Sequence, residues 1–316
     1  MIIRPYVEAD DPALMVLERQ CPRGDPDPFV HYRRRFVDRA ALFTEYYLLL
    51  IESQGTIVAV AAASIKNSTI KGQSMRIGYI FDVRVSPAMR RQGLAATLVE
   101  GLEADLQSMG CEGVYAHVVA TNVASLRLFT NLGYTRQRQL RFLTYQPMPL
   151  FTSDPVPVLR HRAPPYDEIA YHHREHDLFV EDVAPSLVPF DFECWESQEG
   201  SASISLFDQS QVFQQVPIDA PWPTPEEIAR RGRHWRLFHP FGNAADLQPL
   251  FDTIRDQAVS ENINKLTMLV DVEDPLPSFI YAETTDQREY VALTRPFDPK
   301  WDGTFGPKFY CDTREL

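Results

Sequence analysis

The stretch Arg90-Arg91-Gln92-Gly93-Leu94-Ala95 constrains this chain more than any other, because of what stands on either side of it. Before it, residues 77–85 are rich in β-formers, and apolar Phe81, Val83 and Val85 on alternate positions predict one buried strand face. After it, Leu94, Ala95, Leu98, Leu102 and Leu106 recur at helical spacing, which predicts a helix with one buried stripe. Gly93 and Ala95 carry almost no side chain, so the first-turn N–H groups can approach a phosphate closely, and the helix dipole favours its charge. Arg90 and Arg91 supply counter-charge, and the stretch reads as a pyrophosphate cradle.

The first half reads as an α/β order around that cradle: a strand at 2–6, a helix from Asp11 to Leu17, and a second helix at 29–42. Strands follow at 46–52 and 56–66 across a Gly55 turn, then a polar loop at 67–74 and the strand ending at Val85. A helix over 93–109, a strand over 113–120, a helix over 123–131 and a strand over 138–145 complete it. Pro147, Pro149, Pro155 and Pro157 then mark a linker, so the expected domains are 1–147 and 156–316.

The second half repeats a similar order: a strand at 156–161, a helix at 165–179, strands at 201–207 and 211–216, and a helix at 226–231. A strand at 235–239, a helix at 244–258, a strand at 265–272 and a closing pair at 289–294 and 308–312 follow. The halves look like diverged copies in which His239 to Ala245 falls where the first half has Ser86 to Ala95. With a single glycine and no arginine there, the second copy is expected to be degenerate.

Residues 1–150 hold 17 Lys+Arg and 14 Asp+Glu, so of the net −12 the halves carry about +3 and −15. A slightly positive first half suits a polyanionic cofactor, and a strongly acidic second half argues against nucleic acid while leaving a cationic substrate or plain solubility open. The chain has no apolar run of eighteen residues and opens on an amphipathic strand, so no membrane span is expected and the cytoplasm is the default. Cys21, Cys111, Cys194 and Cys311 are scattered without a CxxC pair, which suggests reduced structural thiols.

Arg90-x-x-Gly93-x-Ala95, with Asn122-x-x-Ser125-x-x-Leu128-Phe129-x-x-x-Gly133-Tyr134 some thirty residues later, resembles the two signature regions of the GNAT acyl-CoA N-acyltransferase superfamily. That resemblance covers roughly residues 75–145 and implies a mixed, centrally splayed sheet with flanking helices, here duplicated as two lobes. A finer resemblance runs over both halves. Arg84-Val85-Ser86-Pro87, Leu128-Phe129-Thr130, Phe238-x-Pro240-Phe241-Gly242 and Phe309 to Glu315 look like the plant HOOKLESS-type N-acetyltransferases.

The resemblance implies acetyl-CoA as cofactor and an amine, small or on a protein, as acceptor. It implies that Val83 and Val85 face the acetyl-bearing arm, that the N–H groups of Arg91, Gln92, Gly93, Leu94 and Ala95 hold the pyrophosphate, and that Asn122, Ser125 and Phe129 line the cofactor. Read as residues alone, Val83 and Val85 are equally plain core, and Asn122 is equally a helix N-cap.

Transfer to an amine needs a base and a proton for the departing thiolate. Asp82, the sole acid of the central strand, is either that base, an edge-of-pocket anchor for the amine, or a surface carboxylate paired with Arg84. Many family members have a tyrosine acid where this chain has Phe129, which cannot donate. Tyr134 is then the nearby candidate acid, with packing as its alternative and water as a substitute. His172 and His176 share a helix face, but no third ligand is obvious and no metal is expected. Arg33-Arg34-Arg35 reads as a solvated face, or as a contact for the cofactor 3′-phosphate.

Overall fold

A computed structural model describes residues 1–23, 28–150, 157–162, 166–179, 192–224, 226–227 and 233–315. In the first half β1 (Ile2–Pro5), α1 (Asp11–Gln20), β2 (Phe29–Tyr32), β3 (Glu45–Ser53), β4 (Thr56–Ile70) and β5 (Gln73–Val85) come first. They lead into α2 (Leu94–Ser108), β6 (Gly113–Val119), α3 (Val123–Asn131) and β7 (Thr135–Tyr145). The second half has β8 (Val158–His161), α4 (Tyr166–His173), β9 (Phe192–Ser197), β10 (Ser203–Asp208), β11 (Gln214–Pro217) and β12 (Arg233–Phe241). It closes with α5 (Ala244–Ser260), β13 (Ile263–Asp271), α6 (Ser278–Ala282) and β14 (Asp286–Pro296). Among the described residues no helix is long and apolar enough to cross a membrane.

Twelve strands form one mixed sheet in the order β1-β3-β4-β5-β6-β14-β7-β13-β12-β10-β9-β8. Read from each edge inward the two halves match strand for strand, with one exchange. The last strand of the second half, β14, pairs with β6 through Tyr290↔Val119 to Pro296↔Gly113, and the last strand of the first half, β7, pairs with β13 through Leu266↔Tyr145 to Asp271↔Leu140. Each half therefore lends its closing strand to the other. A second tie is the small antiparallel sheet of β2 and β11.

The alternation of β5 changes phase at one residue. Between Ala62↔Phe81 and Val60↔Arg84 the partner strand advances two residues while β5 advances three, and Asp82 at the extra position has φ +51°. A bulge of this kind moves every later side chain to the other face. Tyr79 and Phe81 lie in the core on one face of the sheet, whereas Val83 and Val85 pack into the core under α2 on the other. The expectation that Phe81, Val83 and Val85 share a face is thereby corrected. The second half repeats the device: β12 gains one residue against Ser203 and Ser205, and His239 there has φ +50°. His239 is thus the counterpart of Asp82, not of Ser86.

On the α2 face, Leu94, Leu98, Val99, Leu102 and Leu106 pack on β3 to β6 with Leu126 and Phe129 of α3. Gly78 permits the close approach, since a Cβ there would stand 2.8 Å from Leu106 Cδ1. The opposite face is covered by α1, a 3-10 segment (Phe36–Leu42) and Phe309 and Tyr310, and this core continues into Phe207, Phe238 and Leu269 of the second half.

Three local expectations fail. The helix at 29–42 is strand β2 followed by that 3-10 segment, because Phe29-Val30-His31-Tyr32 extends to pair with β11. The loop at 67–74 is a two-residue turn, Lys71-Gly72, at φ +49° and +76° inside a long hairpin. Residues 308–312 form no strand; Phe309 makes an isolated bridge to Asp177, and Tyr310 and Asp312 reach the sheet through the side chains of His239 and Lys66. Most of the helix expected at 226–231 lies outside the described residues.

Candidate active site

β5 and β6 run parallel and share three rungs, Ile77↔Gly113, Gly78↔Val114 and Tyr79↔Tyr115. Beyond Tyr79 the ladder ends: β5 continues on β4 alone and β6 on β14 alone, so the sheet opens into a wedge. Val83 and Val85, both half-buried, lie on the β5 side of that wedge. The expected splay of the central sheet is present.

The chain leaves β5 at the mouth of the wedge and reaches α2 through Arg90 to Gly93, all four exposed. Gly93 is the N-cap, at φ +80°, and no side chain caps the helix. Thr97 N–H donates to Gly93 O at 3.0 Å as the first backbone bond of the helix, which leaves the earlier first-turn N–H groups to point outward. Arg90 donates from Nε to Val85 O at 3.3 Å, which holds its guanidinium beside the turn. The counterpart helix α5 has the opposite chemistry. Asn243 Oδ1 accepts from Ala245 N at 2.8 Å and Asp246 N at 3.2 Å, and Asp246 adds a negative charge to the same turn. Twelve positions separate Asp82 from the start of α2, and five separate His239 from the start of α5, so the second half also lacks the loop.

Asn122 caps α3, accepting from Ser125 N at 3.1 Å, and is exposed, while Ser125 is half-buried. Phe129 is buried on the inner face of α3 with its ring edge-on to Tyr134, centroids 4.9 Å apart. Tyr134 does not stand at the wedge. Burial, and then the neighbouring Glu103, hold its phenol well above the ordinary tyrosine range. Glu103 is paired with Arg295, whose strand position is opposite Val114, at the closed end of the β5–β6 pair. The candidate acid at Tyr134 is therefore corrected to a packing residue.

Asp82 is neither open to solvent nor free to take a proton. Its carboxylate, 1% exposed, accepts from Arg33 Nη1 at 2.7 Å, Arg39 Nη1 at 2.8 Å, Arg84 Nη2 at 3.2 Å and Arg23 Nη2 at 3.3 Å. Burial alone would raise its pKa, but the adjacent Arg33 and Arg39 override it and hold the group well below the usual carboxylate range. So low a pKa makes a poor general base, and the residue serves as a charge anchor. The pairing with Arg84 occurs, but in the interior. Arg33, expected on a wet face, is fully buried, while Arg34 and Arg35 remain exposed.

The structure adds residues that spacing does not reveal. The C-terminal segment crosses the same face, and the Glu315 carboxylate contacts Lys66 Nζ and Tyr115 Oη, while its backbone oxygen accepts from Arg39 and Tyr79. His117, two residues past the last rung, places Nδ1 at 3.3 Å from Glu315 Oε2, close but off hydrogen-bond alignment. Its side chain is fully buried, and among the described residues Nε2 has no hydrogen-bond partner. Burial, then Lys66, lowers its pKa to about 3, so the imidazole is neutral at pH 7. Nε2 carries no partner, but so low a pKa makes His117 a poor proton acceptor, as it does Asp82. Burial pushes Glu315 itself upward.

The paired histidines do not share a ligand. The His172 ring stacks on Phe241 at 3.4 Å, and His176 Nε2 faces Asp274 at 3.6 Å.

A wedge between two parallel strands, with an uncapped, arginine-flanked helix N-terminus at its mouth, offers a place for a phosphate-bearing ligand. Residues 12–134 match the model of the acetyltransferase (GNAT) family. Over 63 residues the chain is 33% identical to N-alpha-acetyltransferase 30 of Dictyostelium discoideum, covering 20% of this chain and 34% of that protein. The match thus spans about a third of that relative.

Among solved structures, a tandem GNAT protein from the clavulanic acid biosynthesis pathway is similar over 94% of this chain and 99% of its own, with a TM-score of 0.61 and 11% identity. Saccharomyces cerevisiae N-myristoyltransferase with bound myristoyl-CoA is similar over 92% of this chain and 82% of its own, with a TM-score of 0.66 and 9% identity. At such identities these likenesses establish the two-lobed fold and nothing finer.

Proposed function

We propose that the protein is an acetyl-CoA-dependent N-acetyltransferase acting on an amine acceptor. The observation that carries this is the contrast between the two helix N-termini: α2 keeps its first-turn N–H groups for a ligand, and α5 spends them on Asn243. Residues 1–147 hold the donor, its pyrophosphate on Arg91 to Ala95 and its acyl arm along Val83 and Val85. Residues 156–316 form the degenerate lobe that shapes the acceptor side. The amine nitrogen bonds to the acetyl carbon as the carbon–sulfur bond breaks; the thiolate leaves, and the nitrogen's proton passes to water and then to the sulfur.

The four cysteines are free thiols, which suits a cytoplasmic setting. The relatives above carry the superfamily, and membership of the HOOKLESS-type division is part of this proposal. Isothermal titration with acetyl-CoA and coenzyme A, followed by thiol release over a panel of amines, tests the reading. Absence of binding overturns it, and binding without turnover on any amine points to a non-catalytic acyl-CoA sensor instead.

A further inference from the structure

At the bulge of β5 the interior charge does not balance. Arg23, Arg33, Arg39 and Arg84 converge on Asp82, and the second carboxylate in contact with them is Glu18, 3.1 Å from Arg84 and 4.0 Å from Arg33. Four guanidiniums thus face two carboxylates. Arg39 reaches no further acid, since its other hydrogen bond is to the Glu315 backbone oxygen. Arg33 is fully buried and Arg39 6% exposed, yet Arg33 Nε and Nη2 and Arg39 Nε lack hydrogen-bond partners among the described residues. Nearby His31 adds no charge, because burial, then Arg33, pushes its pKa well below the usual range.

Buried guanidiniums with idle donors cost folding energy unless an anion answers them, and Asp38, the further acid that acts on Arg33, is already engaged by Arg35. The cluster lies on the sheet face of Tyr79 and Phe81, opposite Val83 and Val85, and Arg39 joins it to Glu315, beside His117. It opens at Arg23, whose side chain is 33% exposed. Guanidinium groups match carboxylates in shape and in paired hydrogen bonds.

We infer that this arginine cluster is the acid-binding subsite of the acceptor pocket, and that the acceptor is a primary amine carrying carboxylates, either an acidic amino acid or the amino terminus of an acidic peptide. The inference rests on the acyl-transfer reading and reverses what the overall charge suggests. The −12 of the whole chain would attract a cationic substrate, whereas the pocket selects an anionic one.

Titration of the full-length protein with L-glutamate, L-glutamine and L-phenylalaninamide, with no donor present, measures the effect of two, one and no carboxylates. Glycyl-glutamate and glycinamide make the same comparison for a peptide source. Affinity is expected to rise about tenfold for each carboxylate. Arg23→Gln, at the rim, is expected to flatten the series about tenfold at the glutamate end without changing Tm, and Arg39→Gln to flatten it further. Equal binding of acid and amide, or binding of none of these probes, overturns the inference. Acetyl-CoA titrated into the same preparation reports separately on the proposed function, so the two can fail independently.

Discussion

Asn243 occupies in the second half the N-cap position that Gly93 holds in the first, and its carboxamide fills with two intramolecular hydrogen bonds the role that Gly93 leaves open. The difference leaves the first-turn N–H groups open at one of the two helix starts and closed at the other. A Gly93→Asn substitution keeps a residue type that tolerates φ near +80° and supplies the missing cap. Coenzyme A affinity measured by titration is expected to fall about tenfold or more while Tm holds or rises slightly. The reciprocal Asn243→Ala removes a cap and is expected to cost about 1 kcal/mol in chemical denaturation, with no change in coenzyme A binding.

His117→Ala separates binding from chemistry. Acetyl-CoA affinity is expected to stay within about twofold and kcat within about threefold, since an imidazole of so low a pKa carries little of the proton transfer. Equal turnover in the variant would hand the proton to water. Gln is the control for packing, since it fills similar space and cannot take the proton.

Asp82→Ala leaves four guanidiniums with Glu18 alone. Breaking a buried pair on one side costs about 3–5 kcal/mol, so Asp82→Ala is expected to lower Tm steeply, more than any single change on the exposed cradle. A calorimetric scan of the variant beside Gly93→Asn tests that ordering.

Stability is expected to fall from neutral pH downward through the mildly acidic range, because His117 and His173 are both lowered to about 3 in the folded chain. Unfolded histidine binds its proton near pH 6.5, so between there and about 3 the unfolded state holds more protons and is favoured as pH drops. The slope is at most about 1.4 kcal/mol per pH unit for each residue. Urea midpoints at pH 7, 6 and 5 measure it, and His173→Phe should make the decline shallower.

Residues 1–150 expressed alone lack β14 and expose the edges of β6 and β7. Such a fragment is expected to aggregate or to populate oligomers by size-exclusion chromatography. Co-expression with residues 151–316 should recover a soluble pair, because the exchange of β7 and β14 needs no covalent link.

What the sequence made legible was local. The α2 and α3 helices and the Gly93 turn follow from spacing and from glycine within a dozen residues, and the structure has them nearly where expected. The bulge at Asp82 was hidden because one residue in the left-handed region reverses the period of two without altering composition. Arg33 read as solvated because only the carboxylate on a strand 49 residues away draws it inside. Glu315 and His117 meet across some two hundred residues, and β14 finds β6 across about 170, distances at which no periodicity signals a contact. The split into two lobes was visible in element order, and their interlocking was not.

That interlock bears on how the chain is made. During synthesis β6 emerges early and waits, one side unpaired beyond its three rungs with β5, until residues 286–296 have left the ribosome. The first lobe is completed only by a strand of the second. A nascent chain held in that state for many seconds is a natural client for a holdase, and the wedge beside β6 gains its second wall only once β14 has been made.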